Sequence, residues 1–189
     1  MRKILLFVGM FLCCFVLQAQ DWSFSNGSDD SDVKKNQFAV ELGVGGTGEV
    51  AVDLGFRWQM NLYPNIGWDV LTLKAYAAPD DLGATVTPQL MTGIHLTSPE
   101  FVGLTGYLIG RAGYGYWIDR EAGGFCFEVG AGINVTKHMY IGYAYNHQKG
   151  NYEATFYKKG SGGKYTTTLY TEDVDYKVNY HSFRIGFYF

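Results

Sequence analysis

The sequence predicts an all-β fold, an eight-stranded antiparallel closed transmembrane β-barrel. Three observations predict it: an export signal at the start, eight segments in which apolar and polar residues alternate, and a lipid-like face of large apolar side chains along those segments. After the signal the chain has no run of about 18 apolar residues, so no transmembrane helix is predicted. An exported chain of this kind is either soluble or crosses a membrane with strands.

The first 19 residues are predicted to be a signal peptide. Basic MRK is followed by apolar ILLFVGMFLCCFVL and then by QAQ, with cleavage expected after Ala19. Lipidation of Cys13 or Cys14 is the disfavoured alternative, since neither follows the small residue that bacterial lipoprotein signals carry. Removal of the signal leaves Cys126 alone, so no intramolecular disulfide is expected.

The rest of the chain divides into a leader and a barrel domain. Residues 20–36 are polar and lack periodicity, which predicts a flexible periplasmic leader, and the barrel is predicted at 37–189. The predicted strands are 37–45, 50–60, 67–77, 85–96, 101–117, 124–135, 139–149 and about 174–189. The connections containing NLYPNI, TSPE and TKH are predicted on the periplasmic side, with the other loops outside.

Segment 50–60 shows which face meets lipid. Large apolar residues such as Leu54 and Phe56 alternate with Asp53, Gly55 and Arg57. A soluble lipocalin-like barrel, the alternative fold, would carry many Lys, Glu, Thr and Ser on its polar face. Here that face is rich in Gly and Ala with isolated charges of both signs, which favours lipid outside and a polar interior.

The inward face is predicted to hold a charged network. Its members are Glu41, Asp53, Arg57, Lys74, Arg111, Glu128 and Arg184. Lys74 is ambiguous, because it shares strand parity with Trp68 and Tyr76. An eight-stranded barrel is just wide enough for side chains to fill it, so we expect a charge-paired plug, with a selective pore as the alternative.

Aromatic residues near the segment ends predict two interfacial belts. The periplasmic belt is predicted to contain Phe38, Trp58, Tyr63, Trp68, Phe101, Tyr140, Phe187 and Phe189. The outer belt is predicted to contain Tyr76, Tyr114, Tyr116, Trp117, Phe125, Tyr143 and Tyr145. Amphipathic rings favour both membrane–water interfaces, which supports the membrane interpretation.

The stretch 151–178 is unusual because the β-prone runs ATFY and KYTTTLYT flank KKGSGG. This pattern predicts a long hairpin between strands 7 and 8 that protrudes as a ribbon, with a mobile loop as the alternative. Val174, Tyr176, Val178 and Tyr180 alternate out of phase with Phe183 and Ile185, which predicts a bulge near His181.

Other motifs point to little chemistry. The net charge of −3 gives no reason to expect nucleic acid as a partner. His95, His138, His147 and His181 lack the spacing of zinc ligands, so neither metal nor cofactor is expected. GVGGTGEV lacks the Lys-Ser/Thr ending of a phosphate loop. His181 and Ser182 raise a lipid-hydrolase hypothesis, but adjacent strand residues point to opposite faces.

The eight alternating segments and the terminal SFRIGFYF resemble the small OmpA/OmpX-type outer-membrane barrels. FRWQMNLYPNIGWDV and LIGRAGYGYW are similar to the "outer membrane protein beta-barrel domain" family common in Bacteroidetes. The resemblance implies that Phe183, Ile185, Phe187 and Phe189 form the signal read by the barrel-assembly machinery. It also implies residence in the bacterial outer membrane, with the lipid bilayer and lipopolysaccharide as surroundings.

The expected function is structural or adhesive. A side-chain-filled barrel would contact an extracellular protein or host surface through its outer loops, without catalysis. A narrow channel for ions or small hydrophobic molecules is the first alternative, and a lipid-modifying enzyme is the second.

Overall fold

The computed structural model describes residues 36–46, 50–80, 83–101, 103–159 and 167–189, with the backbone alone at 79–80, 83–84, 156–159 and 167–170. The described residues form eight strands and one short 3₁₀ helix, Ile118–Arg120. The strands are β1 Asn36–Gly46, β2 Ala51–Tyr63, β3 Ile66–Asp80, β4 Gly83–Thr97, β5 Thr105–Trp117, β6 Ala122–Thr136, β7 Met139–Lys159 and β8 Thr167–Tyr188. The predicted signal peptide and nearly all of the predicted leader lie outside these residues.

The sheet closes on itself. Each strand pairs antiparallel with the next, and β8 pairs back onto β1 from Ala39↔Tyr188 to Gly46↔His181. Closure gives the first and last strands a partner, so backbone groups at the seam are hydrogen-bonded as hydrocarbon requires. The predicted eight-stranded antiparallel closed barrel is therefore confirmed.

Along the strands of the barrel wall, buried polar side chains alternate with exposed apolar ones, as the sequence pattern predicts. On β2, Asp53 and Arg57 are almost fully buried, whereas Val52 is 52% exposed. On other strands, Leu90, Leu108 and Ile185 are about half exposed in the same way. Large apolar side chains therefore point away from the interior around the barrel, an arrangement that is stable in lipid and costly in water.

A bulge in β3 explains the ambiguity at Lys74. The β3–β4 register shifts between Asp69 and Thr72, so strand parity changes there. Trp68, before the shift, is exposed, whereas Lys74 and Tyr76, after it, are buried. A bulged strand bends and turns its later side chains to the other face, which a strict period of two cannot predict.

The aromatic belts were predicted wrongly at three positions. Tyr76 and Tyr140 lie inside the barrel, at 7% and 1% exposure, rather than at a membrane interface. The Tyr140 hydroxyl donates a hydrogen bond to Glu41 Oε1 at 2.6 Å. Trp117 also turns inward and packs edge-on against Tyr176, with ring centroids 4.8 Å apart. In the interior Tyr140 finds a hydrogen-bond partner for its hydroxyl, and Trp117 finds an aromatic ring to pack on.

The bulge predicted near His181 was also wrong. The register of β8 runs without a shift against both β7 and β1. Tyr176 and Tyr180 are buried and continue the inward series of Ser182 and Arg184. The apparent change of phase arises because aromatic residues occupy the interior at this level, so their apolar character does not mark the lipid face.

The two ends of the barrel differ. At one end, here called the short-turn end, β2 meets β3 at residues 64–65 and β6 meets β7 at residues 137–138. The predicted fifth segment is shorter than expected at this end, because Phe101 and Leu104 form an isolated bridge and β5 begins at Thr105. Within the described residues, no helix has the length and apolar character needed to cross a membrane.

At the other end, β7 and β8 continue as a paired ribbon, defined here as residues 151–159 with 167–175. Their register continues from Asn151↔Asp175 to Lys159↔Thr167. At about 3.4 Å per residue the described ribbon is about 30 Å long. The predicted long hairpin is therefore present as strand pairing, and its tip at 160–166 lies outside the described residues.

Candidate functional site in the barrel interior and the ribbon

The structure places every residue of the predicted charged network inside the barrel. Each of the seven is at most 4% exposed: Glu41, Asp53, Arg57, Lys74, Arg111, Glu128 and Arg184. Asp69, at 0% exposure, joins them. These eight residues, here called the ion-pair layer, comprise four carboxylates and four cations, so their formal charges cancel.

Glu128 on β6 accepts hydrogen bonds from three cations. Lys74 Nζ and Arg184 Nη2 donate to its Oε2 at 2.7 and 2.6 Å, and Arg111 Nη1 donates to its Oε1 at 2.9 Å. The donors come from β3, β8 and β5, of which only β5 is a hydrogen-bonded neighbour of β6. One carboxylate therefore links distant parts of the wall across the lumen.

Arg111 on β5 is the matching cationic centre. Its Nη1 and Nη2 form a bidentate pair with Glu41 at 3.1 and 3.0 Å, and its Nε donates to Asp69 Oδ2 at 2.6 Å. With Glu128, Arg111 therefore contacts three carboxylates. The planar guanidinium suits this arrangement because it offers five donors in a fixed fork.

Asp53 is held less tightly than the other carboxylates. Arg184 Nε and Lys74 Nζ lie 3.4 and 3.7 Å from its oxygens, and neither oxygen has a hydrogen-bond partner in the part of the chain that the structure describes. Lys74 and Arg184 instead direct their shortest contacts to Glu128. Asp53 thus contributes charge balance more than directed hydrogen bonds.

Asp69 and His95 belong to the interior but were missed from the sequence. Asp69 precedes the β3 bulge, so its parity disagrees with that of Lys74 later on the same strand. His95 could have been found, because Ile94 and Leu96 on either side of it point outward. A lone histidine between two apolar residues is a weak signal, which is why spacing alone did not identify it.

His95 contacts the ion-pair layer through Arg57. Arg57 Nη1 donates to His95 Nδ1 at 3.0 Å. Arginine has only donors, so Nδ1 is the acceptor and carries no proton in this arrangement. The Arg57 guanidinium also lies over the rings of Tyr140 and Tyr188, 5.2 and 5.3 Å from their centroids. Arg57 is therefore enclosed by aromatic and imidazole groups.

Above the ion-pair layer, toward the ribbon, amide side chains bond one another. Gln89 Nε2 donates to Asn146 Oδ1 at 3.2 Å and to Gln148 Oε1 at 2.9 Å, and Gln148 Nε2 donates to the Tyr176 hydroxyl at 3.0 Å. Beside them Tyr76 stacks on Tyr180 with ring centroids 3.9 Å apart. The interior is thus filled at this level too.

A polar cavity of about 430 Å³ lies at the short-turn end. Gln59, Asn61 and Asn134 are among the residues that line it. It extends inward to His95, whose Nδ1 is bonded to Arg57 of the ion-pair layer. This cavity therefore leads as far as the charged layer.

At the ribbon end, Arg120 joins the β5–β6 connection to β7. Its Nη1 donates to the Tyr152 hydroxyl at 2.6 Å, and its guanidinium lies 4.6 Å from the ring centroid of Trp117 and 5.1 Å from that of Tyr152. Hydrogen bonding and cation–π contact act together here. The base of the ribbon is thereby fixed to the barrel rim.

The structure separates the residues of the lipid-hydrolase hypothesis. Ser182 is buried at 1% exposure, whereas His181 is exposed on the outer face and bonds the hydroxyl of Tyr143. The two side chains therefore do not form a nucleophile–base pair. Among the described residues, no group of three or more His, Cys, Asp or Glu could hold a metal ion.

Three residues of the predicted assembly signal point outward. Phe183 is 73% exposed, and Ile185 and Phe187 are each 47% exposed. They alternate with the buried side chains of Ser182 and Arg184. Recognition of these residues and of Phe189 by the assembly machinery stays a prediction.

No family model and no curated protein matches the chain. Among solved structures, OprG, an outer membrane protein from Pseudomonas aeruginosa, is similar with a TM-score of 0.50 and 9% identity, over 82% of this chain and 96% of that chain. AlkL in DMPC lipid bilayers matches with a TM-score of 0.41 and 13% identity, over 87% and 96% of the two chains. A de novo designed transmembrane β-barrel matches with a TM-score of 0.45 and 14% identity, over 84% and 100%.

The likeness to OprG is one of fold, and that fold is an outer-membrane β-barrel. Together with the outward apolar wall, it places the chain in the bacterial outer membrane. Membership of the Bacteroidetes family that the sequence resembles stays a prediction.

Proposed function

We propose that this outer-membrane barrel acts at the cell surface by docking an extended segment of an extracellular protein along the free edge of its ribbon. The observation that carries the proposal is the extent of strand pairing. Among the described residues, β6 pairs with β7 only as far as Gly150, and β1 pairs with β8 only as far as His181, whereas β7 and β8 pair with each other to Lys159↔Thr167. Unpaired strand edges accept an incoming strand through main-chain hydrogen bonds.

The ribbon belongs on the extracellular side. Bacterial outer-membrane barrels carry short turns in the periplasm and longer connections outside. β7 and β8 are the longest of the described strands and extend at the ribbon end, whereas two-residue turns at 64–65 and 137–138 lie at the opposite end. The ribbon edge is therefore available to a partner outside the cell.

The edge of β8 also has a charge preference. Glu172, Asp173 and Asp175 are exposed on it, and Glu153 lies opposite Asp173 on β7. Acidic side chains along an exposed edge disfavour pairing with another acidic strand and favour a basic one. We therefore propose that the docking segment is extended and carries Lys or Arg.

A narrow channel is the alternative function, and the filled interior argues against it. The ion-pair layer places eight charged side chains in the middle of a barrel that side chains can fill. The cavity at the short-turn end leads to this layer. In a planar bilayer we expect no steady conductance, and a stable open pore would favour the channel. We propose no catalytic step.

The docking proposal is tested with two synthetic peptides, one alternating Thr and Lys and one alternating Thr and Glu. The purified barrel in detergent should bind the basic peptide more tightly than the acidic one, measured by fluorescence anisotropy. A variant in which an Asn-Gly turn replaces residues 152–174 should lose binding, and its heat-modifiability on a gel shows whether the barrel is intact. Equal binding by this shortened variant would contradict the proposal.

A further variant tests the charge preference separately from the edge. Glu172→Gln, Asp173→Asn and Asp175→Asn together keep the ribbon backbone and remove its exposed carboxylates. We expect this variant to bind both peptides with similar affinity. If it still prefers the basic peptide as strongly as the unmodified chain, the acidic edge is not the source of selectivity.

A further inference from the structure

Two lysines on the outer wall lie directly opposite each other. Lys149 on β7 and Lys177 on β8 are register partners, and both are exposed. Among strand cations whose side chains the structure describes, these two point outward, whereas the four others belong to the buried ion-pair layer. Like charges directly opposite on antiparallel strands destabilise a sheet. A bound anion would remove this repulsion.

The height of the pair matches the outer edge of the membrane. From Met139 at the short-turn end to Lys149, β7 rises roughly 23 Å, at about 3.3 Å per residue and a tilt of about 45°. The apolar band of an outer-membrane barrel is about 25 Å tall. The two lysines are therefore level with lipid headgroups of the outer leaflet, given the orientation argued above.

The wall just below the lysines is polar, ordered and aromatic. His147 Nδ1 and the Tyr145 hydroxyl donate to Asn179 Oδ1 at 2.6 and 3.1 Å, and Tyr143 bonds His181. These side chains hold one another in place on the outer face, at the level where amphipathic rings favour a membrane interface. A lipid seated at the lysines would meet this surface with its glycan and upper acyl portion.

Carboxylates limit the site from above. Asp175 is the next residue on the lysine face of β8, and the opposed pair Glu153 and Asp173 follows further up the ribbon. An anion is repelled from that level, so the favourable position is confined to the lysine pair. Among the described residues, no carboxylate lies within ion-pair distance of either lysine.

We propose that Lys149 and Lys177 bind the phosphate of a phosphorylated glycolipid in the outer leaflet. A lipid headgroup, rather than free phosphate, is the ligand because the lysines stand on the lipid-facing wall directly above aromatic side chains. The inference is independent of the partner proposed for the ribbon, since the two lysines that carry it lie on the barrel wall below the ribbon.

The test uses nanodiscs of phosphatidylcholine that contain either lipid A or its dephosphorylated form. Glycolipid retained by the barrel is measured by native mass spectrometry after release into detergent. The unmodified chain should retain lipid A in preference to the dephosphorylated lipid. Each lysine beside an anionic surface contributes roughly fivefold to binding, and the two contributions multiply. The double variant Lys149→Gln with Lys177→Gln should therefore reduce this preference about thirtyfold.

Matched variants separate the site from general charge effects. Lys137→Gln removes an exposed lysine at the short-turn end and should leave retention unchanged. Lys149→Arg with Lys177→Arg keeps both charges and should retain lipid A, and Asp175→Asn should increase retention. All variants are checked for the folded, heat-modifiable form, and the single Lys149→Gln and Lys177→Gln variants give the result if the double variant does not fold.

Three outcomes would overturn the proposal. They are equal retention of the two lipids by the unmodified chain, unchanged retention in the glutamine variants, and an equal loss in the Lys137→Gln control. Inorganic phosphate is added as a competitor. If inorganic phosphate displaces bound lipid A as effectively as an equal concentration of added lipid A does, the ligand is a soluble anion and not a lipid headgroup.

Discussion

Arg111 and Glu41 form a bidentate ion pair across the lumen, although their strands, β5 and β1, lie on opposite sides of the closed sheet. The two hydrogen bonds are 3.1 and 3.0 Å long, and both side chains are almost fully buried. A buried pair of this kind does not by itself show high stability. Removal of one partner is nevertheless costly, because it leaves an uncompensated charge.

Glu128→Gln should be among the most damaging conservative substitutions in the barrel. It keeps the shape of the side chain but removes the charge that Lys74, Arg184 and Arg111 share. We expect a loss of about 3–5 kcal/mol in the free energy of unfolding, measured by urea titration in detergent micelles. Glu100→Gln, at an exposed position, is the control and should change little.

Asp53→Asn removes a carboxylate from the same layer and allows its loss of stability to be compared with that of Glu128→Gln. Its ion contacts are 3.4 and 3.7 Å long and carry no hydrogen bonds, so the substitution should cost clearly less than Glu128→Gln. Both substitutions remove one negative charge from the interior. Equal losses would mean that net charge, rather than hydrogen-bond geometry, controls the stability of the layer.

Arg57→Ala should destabilise the barrel by about 3 kcal/mol. The substitution removes the donor to His95 and the cation lying over Tyr140 and Tyr188, and it leaves Glu41 with less positive charge nearby. The folded band on an unheated gel should convert to the unfolded form at a lower temperature. An unchanged conversion temperature would contradict the network.

Gly186→Ala tests the close packing of the interior. Gly186 faces the ring of Tyr140, and an added β-carbon would overlap that ring, which is 1% exposed and hydrogen-bonded to Glu41. We expect a loss of about 1–3 kcal/mol from overpacking. Gly110→Ala is the matched control, because a β-carbon there meets nothing within 4 Å. Equal effects at the two glycines would rule out the ring contact as the cause.

Tyr152→Ala should free the connection between β5 and β6. Arg120 would lose its hydrogen bond to the Tyr152 hydroxyl and one of its two stacked rings. Trypsin should then cleave after Arg120 faster, with the product identified by mass spectrometry. The cleavage rate of Tyr152→Phe should lie between those of the unmodified chain and Tyr152→Ala, because phenylalanine keeps the ring and loses the hydroxyl. Tyr116→Ala, on the exposed face of β5, should leave the cleavage rate unchanged.

Most of the wall could be predicted because one physical constraint repeats along it. Leu54 and Phe56 lie on the face of β2 opposite the buried Asp53 and Arg57, and each strand without a bulge follows the same period. The closed eight-stranded barrel follows from this pattern. The β3 bulge between Asp69 and Thr72 breaks the period, so the sequence left Lys74 ambiguous and did not identify Asp69.

The interior tyrosines could not be assigned from the sequence for a different reason. Tyr140 and Tyr180 are amphipathic and equally suited to a membrane interface or to a polar lumen, and which applies depends on contacts between distant strands. Tyr140 bonds Glu41 of β1, and Tyr180 stacks on Tyr76 of β3. Such partners are visible only once the sheet has closed.

The central claim is that this chain is a closed β-barrel that lies in the outer membrane. Membrane fractionation followed by gel electrophoresis with and without heating tests compartment and closure together. The protein should be recovered with the outer membrane, and its unheated band should migrate separately from the heated one because the closed barrel resists detergent. Recovery as a folded protein in aqueous buffer without detergent would contradict the claim.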